Sequence, residues 1–167
     1  MSLLADFIAP AIGVLVGSGV TVWLFKKSEE RKNAEERLKN LNSLLRLTDK
    51  LCFSASEILF RFDIKNDDDR ESVRLFHNEL LYEYERESLF YAIYIDEETY
   101  NETVKFIDKL GSYSTEIREY NNNPEEYSEK IKLFFKVVPK EGQTLISFCN
   151  QKRSDYFNDF ANKYIKK

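Results

Sequence analysis

The feature that most constrains this chain is an uncharged run near its N-terminus. From Phe7 to Phe25, nineteen consecutive residues carry no charged side chain. As a helix rising ~1.5 Å per residue, the longer stretch Leu3–Phe25 would span roughly 33 Å, enough to cross the ~30 Å hydrocarbon core of a bilayer. The run therefore predicts a transmembrane helix, with the rest of the chain held at a membrane surface.

A signal peptide or a buried soluble helix could also contain an uncharged run. A signal peptide starts with basic residues and has a shorter apolar core before a small-residue cleavage site. Here the lead contains Asp6 and no Lys or Arg, and the run ends in Trp23-Leu24-Phe25-Lys26-Lys27. A buried soluble helix rarely runs this long without a charge. Both of these fit the pattern less well than a membrane span.

The flanks of the span predict its orientation. Basic residues follow the span closely and none precedes it, which favours a cytoplasmic C-terminal side at the inner membrane and an N-terminus outside. Trp23 suits the inner interface, where aromatic side chains concentrate. The residues expected to contact the membrane surface are Trp23, Lys26, Lys27, Arg31 and Lys32.

Small residues recur every four positions through the span. They are Ala5, Ala9, Gly13, Gly17 and Thr21. This spacing places them on one helix face, where two backbones can approach closely and gain van der Waals contact. The strip predicts self-association of the span, although Gly and Ala are common in such helices and the spacing also arises by chance.

Few residues interrupt helices in the remainder of the chain. The 167 residues include only 5 Gly and 3 Pro, which favours long helices over a many-turned β architecture. The predicted fold is all-α, with one N-terminal transmembrane helix continuing into a cytoplasmic bundle of four to five helices. We expect an anchor at 1–25, a juxtamembrane helical stalk at 26–37 and the bundle at 38–167.

Apolar periodicity and helix-breaking residues predict the individual helices. The first continues unbroken from the membrane to about Phe62, and its stripe includes Leu41, Leu45, Cys52 and Leu59. The second covers about 69–94, with Val73, Phe76, Leu80, Leu81, Leu89, Phe90 and Ile93 as its stripe. The third is opened by Asp96 as N-cap and continues past Gly111 to Tyr120. A fourth begins after Pro124 and ends at Pro139, and the last covers about 141–165.

The net charge of −4 hides a segregation along the chain. Residues 57–129 hold twenty acidic and eight basic side chains, whereas residues 130–167 hold nine basic and three acidic ones. The basic segments could meet anionic lipid headgroups, or the last helix could pack beside the acidic middle. A merely solvated charged face is the third interpretation.

Four tyrosines stand out on the predicted second helix. They are Tyr82, Tyr84, Tyr91 and Tyr94. Tyrosine is common both at the edge of a core and at protein interfaces. They therefore predict either a core edge or a surface for a protein partner.

No catalytic or metal-binding pattern accompanies these elements. The single histidine, His77, and the two cysteines, Cys52 and Cys149, are too few and too scattered for a usual zinc site. No Gly-rich phosphate loop and no Gly-x-Ser-x-Gly elbow occurs. Buried free thiols are the simplest interpretation of the cysteines. We therefore expect no enzyme activity, catalytic residue, metal, cofactor or nucleic-acid partner.

The layout resembles small bacterial proteins with an N-terminal membrane anchor, a charged helix and a short helical domain, some of which act in phage defence or envelope stress. No motif carries this resemblance. The expected function is that of a self-associating, single-pass membrane protein that binds a protein partner at the cytoplasmic face. The alternative is an oligomeric effector that perturbs the membrane, for example in phage defence.

Overall fold

A computed structural model describes the backbone of residues 3–63 and 69–165, and the side chains from Trp23 onward apart from Asp63, Asp69 and Asn121. Within these ranges the chain is helical and has no strand. The elements are α1 (Leu3–Asp63), α2 (Asp69–Leu75), a π-helical segment (Phe76–Leu81), α3 (Tyr82–Ile93), α4 (Glu97–Gly111), α5 (Ser114–Asn122) and α6 (Pro124–Tyr164).

These elements form an antiparallel up-down-up-down bundle, which confirms the predicted all-α bundle. Helix α2, the π-helical segment and α3 run back along α1. Ser72 lies 3.4 Å from Arg61 near the end of α1, and Glu83, later in the chain, lies 3.1 Å from the earlier Lys50. Helices α4 and α5 reverse the direction again, and α6 returns beside both α4 and α1. Its most extensive packing is against α1.

Helix α1 is continuous from Leu3 to Asp63, as expected for the first helix. In the described part of the chain, no helix is both long and apolar enough to cross a membrane. The side chains of residues 1–22, most of the predicted span, lie outside the described residues. The span and its orientation therefore stay predictions.

The end of the bundle farthest from Trp23 has an aromatic core. Phe62 of α1 lies 6.0 Å from Phe135 and 5.8 Å from Tyr120, measured between ring centroids. The rings of Phe76 and Phe135 pack edge-on, with their centroids 5.1 Å apart. Such tilted and edge-on contacts contribute beyond simple burial. Elements distant in the sequence are thereby joined into one core.

In the middle of the bundle, α6 approaches α1 closely at Gly142, which is buried. A Cβ atom at this position would lie 2.2 Å from the Cys52 sulfur. The Cys52 thiol also points at the carbonyl of Val138, 3.8 Å away. The two helices can approach this closely because Gly142 has no side chain.

The sequence-based prediction was wrong at two helix boundaries. Pro139 does not end a helix, because α6 continues through it to Tyr164. Proline removes one backbone hydrogen bond at a cost of ~3 kcal/mol, but buried side chains on both sides of it hold α6 in the bundle. They are Ile131, Phe134, Phe135, Val138, Leu145 and Cys149. Gly111, expected inside a helix, ends α4 instead, and a short turn leads into α5.

Two predicted helix starts are confirmed. The carboxylate of Asp96 accepts a 2.6 Å hydrogen bond from the backbone N–H of Thr99 in the first turn of α4. Pro124 occupies the first turn of α6, where its missing N–H costs nothing.

Candidate functional site

One end of the molecule is built by two helices. Helices α3 and α4 meet at a turn beside Tyr156 and Lys152, whereas α1 and α6 continue past that turn. We call this part the two-helix extension: α1 from Trp23 to Arg37 with α6 from Lys152 to Tyr164. Lys163 Nζ donates to Glu30 Oε2 at 2.8 Å, which pairs the far end of α6 with α1. The predicted stalk at 26–37 thus runs beside α6.

A polar cluster forms the base of the two-helix extension. The Lys152 ammonium lies 3.3 Å from Asp96 Oδ2 and also donates to Glu98, while the Tyr156 hydroxyl donates to Asp96. The basic end of α6 therefore packs beside the acidic middle of the chain, one of the arrangements that the charge segregation predicts. The cluster ties the start of α4 to α6.

Opposing effects set the pKa of Asp96. Burial by itself raises the pKa of this carboxyl group. Hydrogen bonds from Tyr156 and Thr99, together with the Lys152 charge, outweigh burial and lower the pKa to about 2. Burial, followed by the hydrogen bond to Asp96, raises the pKa of Tyr156 to about 12. The cluster is thus a neutral phenol, a carboxylate and an ammonium around neutral pH.

The residues expected at the membrane surface lie along the first turns of the two-helix extension. Trp23, Lys26, Arg31 and Lys32 are exposed and Lys27 is half-buried. The Lys27 ammonium lies 5.0 Å from the centre of the Trp23 ring. Arg31 donates to Glu35 at 2.9 Å, an exposed ion pair of one helical turn. The side chains of the small-residue strip, Ala5, Ala9, Gly13, Gly17 and Thr21, lie outside the described residues.

The four tyrosines predicted as a core edge or partner surface separate into distinct environments. Tyr82 and Tyr94 are exposed, and Tyr91 is partly buried against the core. Tyr84 is fully buried, with its hydroxyl 3.0 Å from the Thr48 hydroxyl, so it cannot belong to an outer surface of this fold. Burial raises its pKa, although the Thr48 hydrogen bond opposes that effect.

An exposed apolar patch at the end of α3 was missed by the sequence-based reasoning. It consists of Phe90, Ile93 and Tyr94, which are 58%, 64% and 54% exposed, and we call it the α3 patch. The rings of Phe90 and Tyr94 are 5.1 Å apart. Phe90 and Ile93 were expected in the core stripe, and this expectation was wrong.

The small residues of α3 explain the error. Its buried face is formed by Tyr84, Ser88 and Ala92, spaced four residues apart. Small side chains at Ser88 and Ala92 bring that face against its neighbours, and the larger Phe90 and Ile93 fall on the opposite side. A four-residue spacing of small residues was therefore the signal available in the sequence.

The groups most often used in catalysis are dispersed or shielded. His77 is half-buried in the π-helical segment, with its Nδ1 3.0 Å from the Asn78 side-chain oxygen. Both cysteines are free and buried, and burial raises the pKa of Cys52 to about 11 and of Cys149 to about 12. Across the described ranges, no group of three or more His, Cys, Asp or Glu side chains is placed to hold a metal ion.

Comparisons of the chain with protein-family models, with curated proteins and with solved structures find no match. Function is therefore inferred from the surfaces described above.

Proposed function

We propose that this chain is a non-enzymatic, single-pass membrane protein whose span self-associates and whose cytoplasmic bundle binds a protein partner. The observation that carries the proposal is the uncharged run Phe7–Phe25, which lies in the same unbroken helix as one wall of the bundle. A span of this length suits a bilayer, and the basic residues after it suit a cytoplasmic interface.

The continuity of α1 supports a mechanical role. A helix that runs from Leu3 to Asp63 without a break transmits its rotation along its axis. Pairing through the small-residue strip would then set how two cytoplasmic bundles face each other. The contact between Lys163 and Glu30 shows that the far end of α6 lies beside this helix, close to the predicted membrane surface.

The α3 patch is the surface that best suits a protein partner. Aromatic side chains dominate the energetics of protein interfaces, and clustered exposed apolar residues commonly mark interaction sites. Phe90 and Ile93 lie in the last turn of α3, and Tyr94 follows directly as its C-cap. Tyr94 belongs to the tyrosine group in which the sequence predicted a partner surface.

Self-association of the span is tested with a genetic dimerisation assay in a bacterial membrane. Gly13→Ile and Gly17→Ile should reduce the signal because a branched side chain prevents close approach of two backbones. Leu15→Ile is the matched control and should retain it, because Leu15 is two positions from both glycines and so lies on the opposite helix face. Equal signals from all variants would contradict the role of the strip.

Partner binding is tested by affinity purification of the full chain from membranes. Phe90→Ser with Tyr94→Ser should remove those proteins that depend on the α3 patch. Phe53→Ser with Phe60→Ser is the matched control, since these aromatic residues are similarly exposed, at 65% and 67%, on α1. Identical sets of co-purified proteins for both double variants and the native chain would argue against the α3 patch as the partner surface.

A further inference from the structure

The far end of α6 returns to the residues that follow the predicted span. Lys163 and Tyr164 face the first turns of α1 across a groove of about 340 Å³, lined by Leu24, Lys27, Ser28, Arg31, Lys163 and Tyr164, which we call the basic groove. We propose that the basic groove holds the headgroup of an anionic phospholipid, so that the bundle contacts the bilayer through both α1 and α6. This inference rests on the proposed membrane anchoring.

The chemistry of the lining suits a phosphate group. Lys27, Arg31 and Lys163 carry three positive charges, and none of the described lining residues is acidic. The hydroxyl groups of Ser28 and Tyr164 are further hydrogen-bond donors. Guanidinium and ammonium groups form short, charge-assisted hydrogen bonds with phosphate oxygens. Two of these cations come from α1 and the third comes from a residue more than a hundred positions away.

The existing ion pairs do not prevent this binding. Lys163 pairs with Glu30 and Arg31 pairs with Glu35, and all four side chains are substantially exposed. Exposed pairs of this kind contribute little to stability, because water and salt screen them. A phosphate with more than one acceptor oxygen can therefore share or replace the carboxylate partners of these cations.

The apolar surroundings favour a lipid over a free phosphate ion. Leu24 lines the basic groove itself and is 53% exposed. Phe25 and Ile165, next to the groove residues Leu24 and Tyr164, are 71% and 61% exposed. Trp23 and Tyr164 add amphipathic rings of the kind that concentrate at the level of lipid headgroups. A soluble anion would gain nothing from this exposed apolar rim.

Trp23 provides the readout, because it is the only tryptophan in the chain. The full chain is reconstituted in phosphatidylcholine vesicles that contain a minor fraction of brominated phosphatidylglycerol or, at the same mole fraction, brominated phosphatidylcholine. Quenching of Trp23 fluorescence measures which lipid lies beside it. We expect stronger quenching by the anionic lipid, and Lys163→Gln should lower this preference by about fivefold, the effect of roughly one basic contact near an anionic surface.

Matched variants separate lipid contact from damage to the fold. Lys163→Arg keeps the charge and should keep the preference. Lys136→Gln removes an exposed lysine from the same helix, about 40 Å from Lys163 along its axis, and should behave as the native chain. Loss of the preference in Lys136→Gln as well, or its survival in Lys163→Gln, would overturn the proposal.

The remaining outcomes distinguish the two proposals. A chain that floats with the vesicles but is quenched equally by both brominated lipids keeps its anchor and has no headgroup site. A chain that does not float with vesicles overturns the anchor and this inference together. Soluble glycerol phosphate added to phosphatidylcholine vesicles should leave Trp23 fluorescence unchanged. A response equal to that of the anionic lipid would instead assign the basic groove to a free phosphate.

Discussion

At the scale of single residues, Gly142 sets the closest approach between α1 and α6. An added Cβ would meet the Cys52 sulfur at 2.2 Å and the Phe106 ring at 3.4 Å. Both neighbours are buried, so they have little room to move. The interface between the two longest helices thus depends on the absence of one side chain.

We predict that Gly142→Ala destabilises the fold by about 1–3 kcal/mol, the usual cost of overpacking a core. Chemical denaturation of the full chain in detergent, followed by circular dichroism, measures the change. The double variant with Cys52→Ala should recover part of the loss, because the smaller side chain leaves room for the new methyl group.

Gly111→Ala is the matched control. A Cβ at Gly111 would have no neighbour within 4 Å, and the residue is exposed at the end of α4. This substitution should be neutral or stabilise the fold by about 0.4–1 kcal/mol through the unfolded state. Equal stability of the two alanine variants would contradict the tight contact between α1 and α6 at Gly142.

Asp96 predicts a specific pH dependence at the base of the two-helix extension. Its pKa is about 2 in the folded chain against an ordinary value of 3.8. A carboxyl group whose pKa is lowered by folding stabilises the fold at every pH above its pKa in the unfolded chain. This stabilisation is lost as the pH falls from about 4 to about 2. The full shift corresponds to about 2 kcal/mol, and screening by water around this partly exposed carboxylate reduces the expected contribution to about 1 kcal/mol.

The test compares the free energy of unfolding of native chain and Asp96→Asn between pH 2 and pH 6. Asparagine remains a good N-cap, so the variant removes mainly the charge. The native chain should lose about 1 kcal/mol more than the variant on acidification. Glu97→Gln, at an exposed neighbouring position, should follow the native profile. Parallel profiles for the native chain and Asp96→Asn would refute the contribution of Asp96.

At the scale of elements, the unbroken α1 makes the coupling between span and bundle testable. Inserting Gly-Gly-Pro after Ser28 should break the helix, because these residues disfavour helical backbone. The pair between Glu30 and Lys163 lies beyond the insertion, so the bundle should remain intact. Cysteine crosslinking should show that spans still associate while cytoplasmic crosslinks between two copies decrease.

A helical insertion tests whether the orientation of α1, rather than its length, couples the span to the bundle. Seven helix-forming residues after Ser28 add about two turns and nearly restore the original face. Cytoplasmic crosslinks should survive this insertion. If Gly-Gly-Pro also leaves function and cytoplasmic crosslinking unchanged, α1 is only a tether.

Helix α6 shows how packing overrides a local signal within an element. Pro139 favours a helix end, and the sequence-based prediction placed one there. The buried face of α6 instead continues on both sides of Pro139, from Ile131 to Cys149. Burial of several large side chains outweighs the single backbone hydrogen bond that proline removes.

At the scale of the whole molecule, the up-down-up-down order places residues 30 and 163 side by side. Glu30→Cys with Lys163→Cys should therefore be joined within one chain by a short bis-maleimide, detected by mass spectrometry of the monomer. The native cysteines should not compete, because both are buried and burial raises their thiol pKa.

Glu30→Cys with Lys140→Cys is the control pair. Lys140 is exposed on α6 but lies about 35 Å from Lys163 along the helix. This pair should give no crosslink within the chain. Equal crosslinking of both pairs would contradict the antiparallel alignment of α1 and α6.

The sequence by itself determined the features that arise from neighbouring residues. The helical class follows from apolar periodicity and from the scarcity of Gly and Pro, and the starts of α4 and α6 follow from Asp96 and Pro124. The continuous α1 was predictable for the same reason, since no helix-breaking residue interrupts it after Gly19. Each of these features depends on residues within about one helical turn of each other.

Only the tertiary structure decided which face of each helix is buried, and that α6 continues through Pro139 and returns beside the start of α1. Tyr84 is in the core and Tyr94 is exposed, although both lie in the same tyrosine-rich segment. Phe90 and Ile93 face outward because Ser88 and Ala92 allow closer packing on the other side. The basic groove forms from residues near positions 27 and 163. These outcomes depend on contacts between elements far apart in the chain, which local periodicity does not encode.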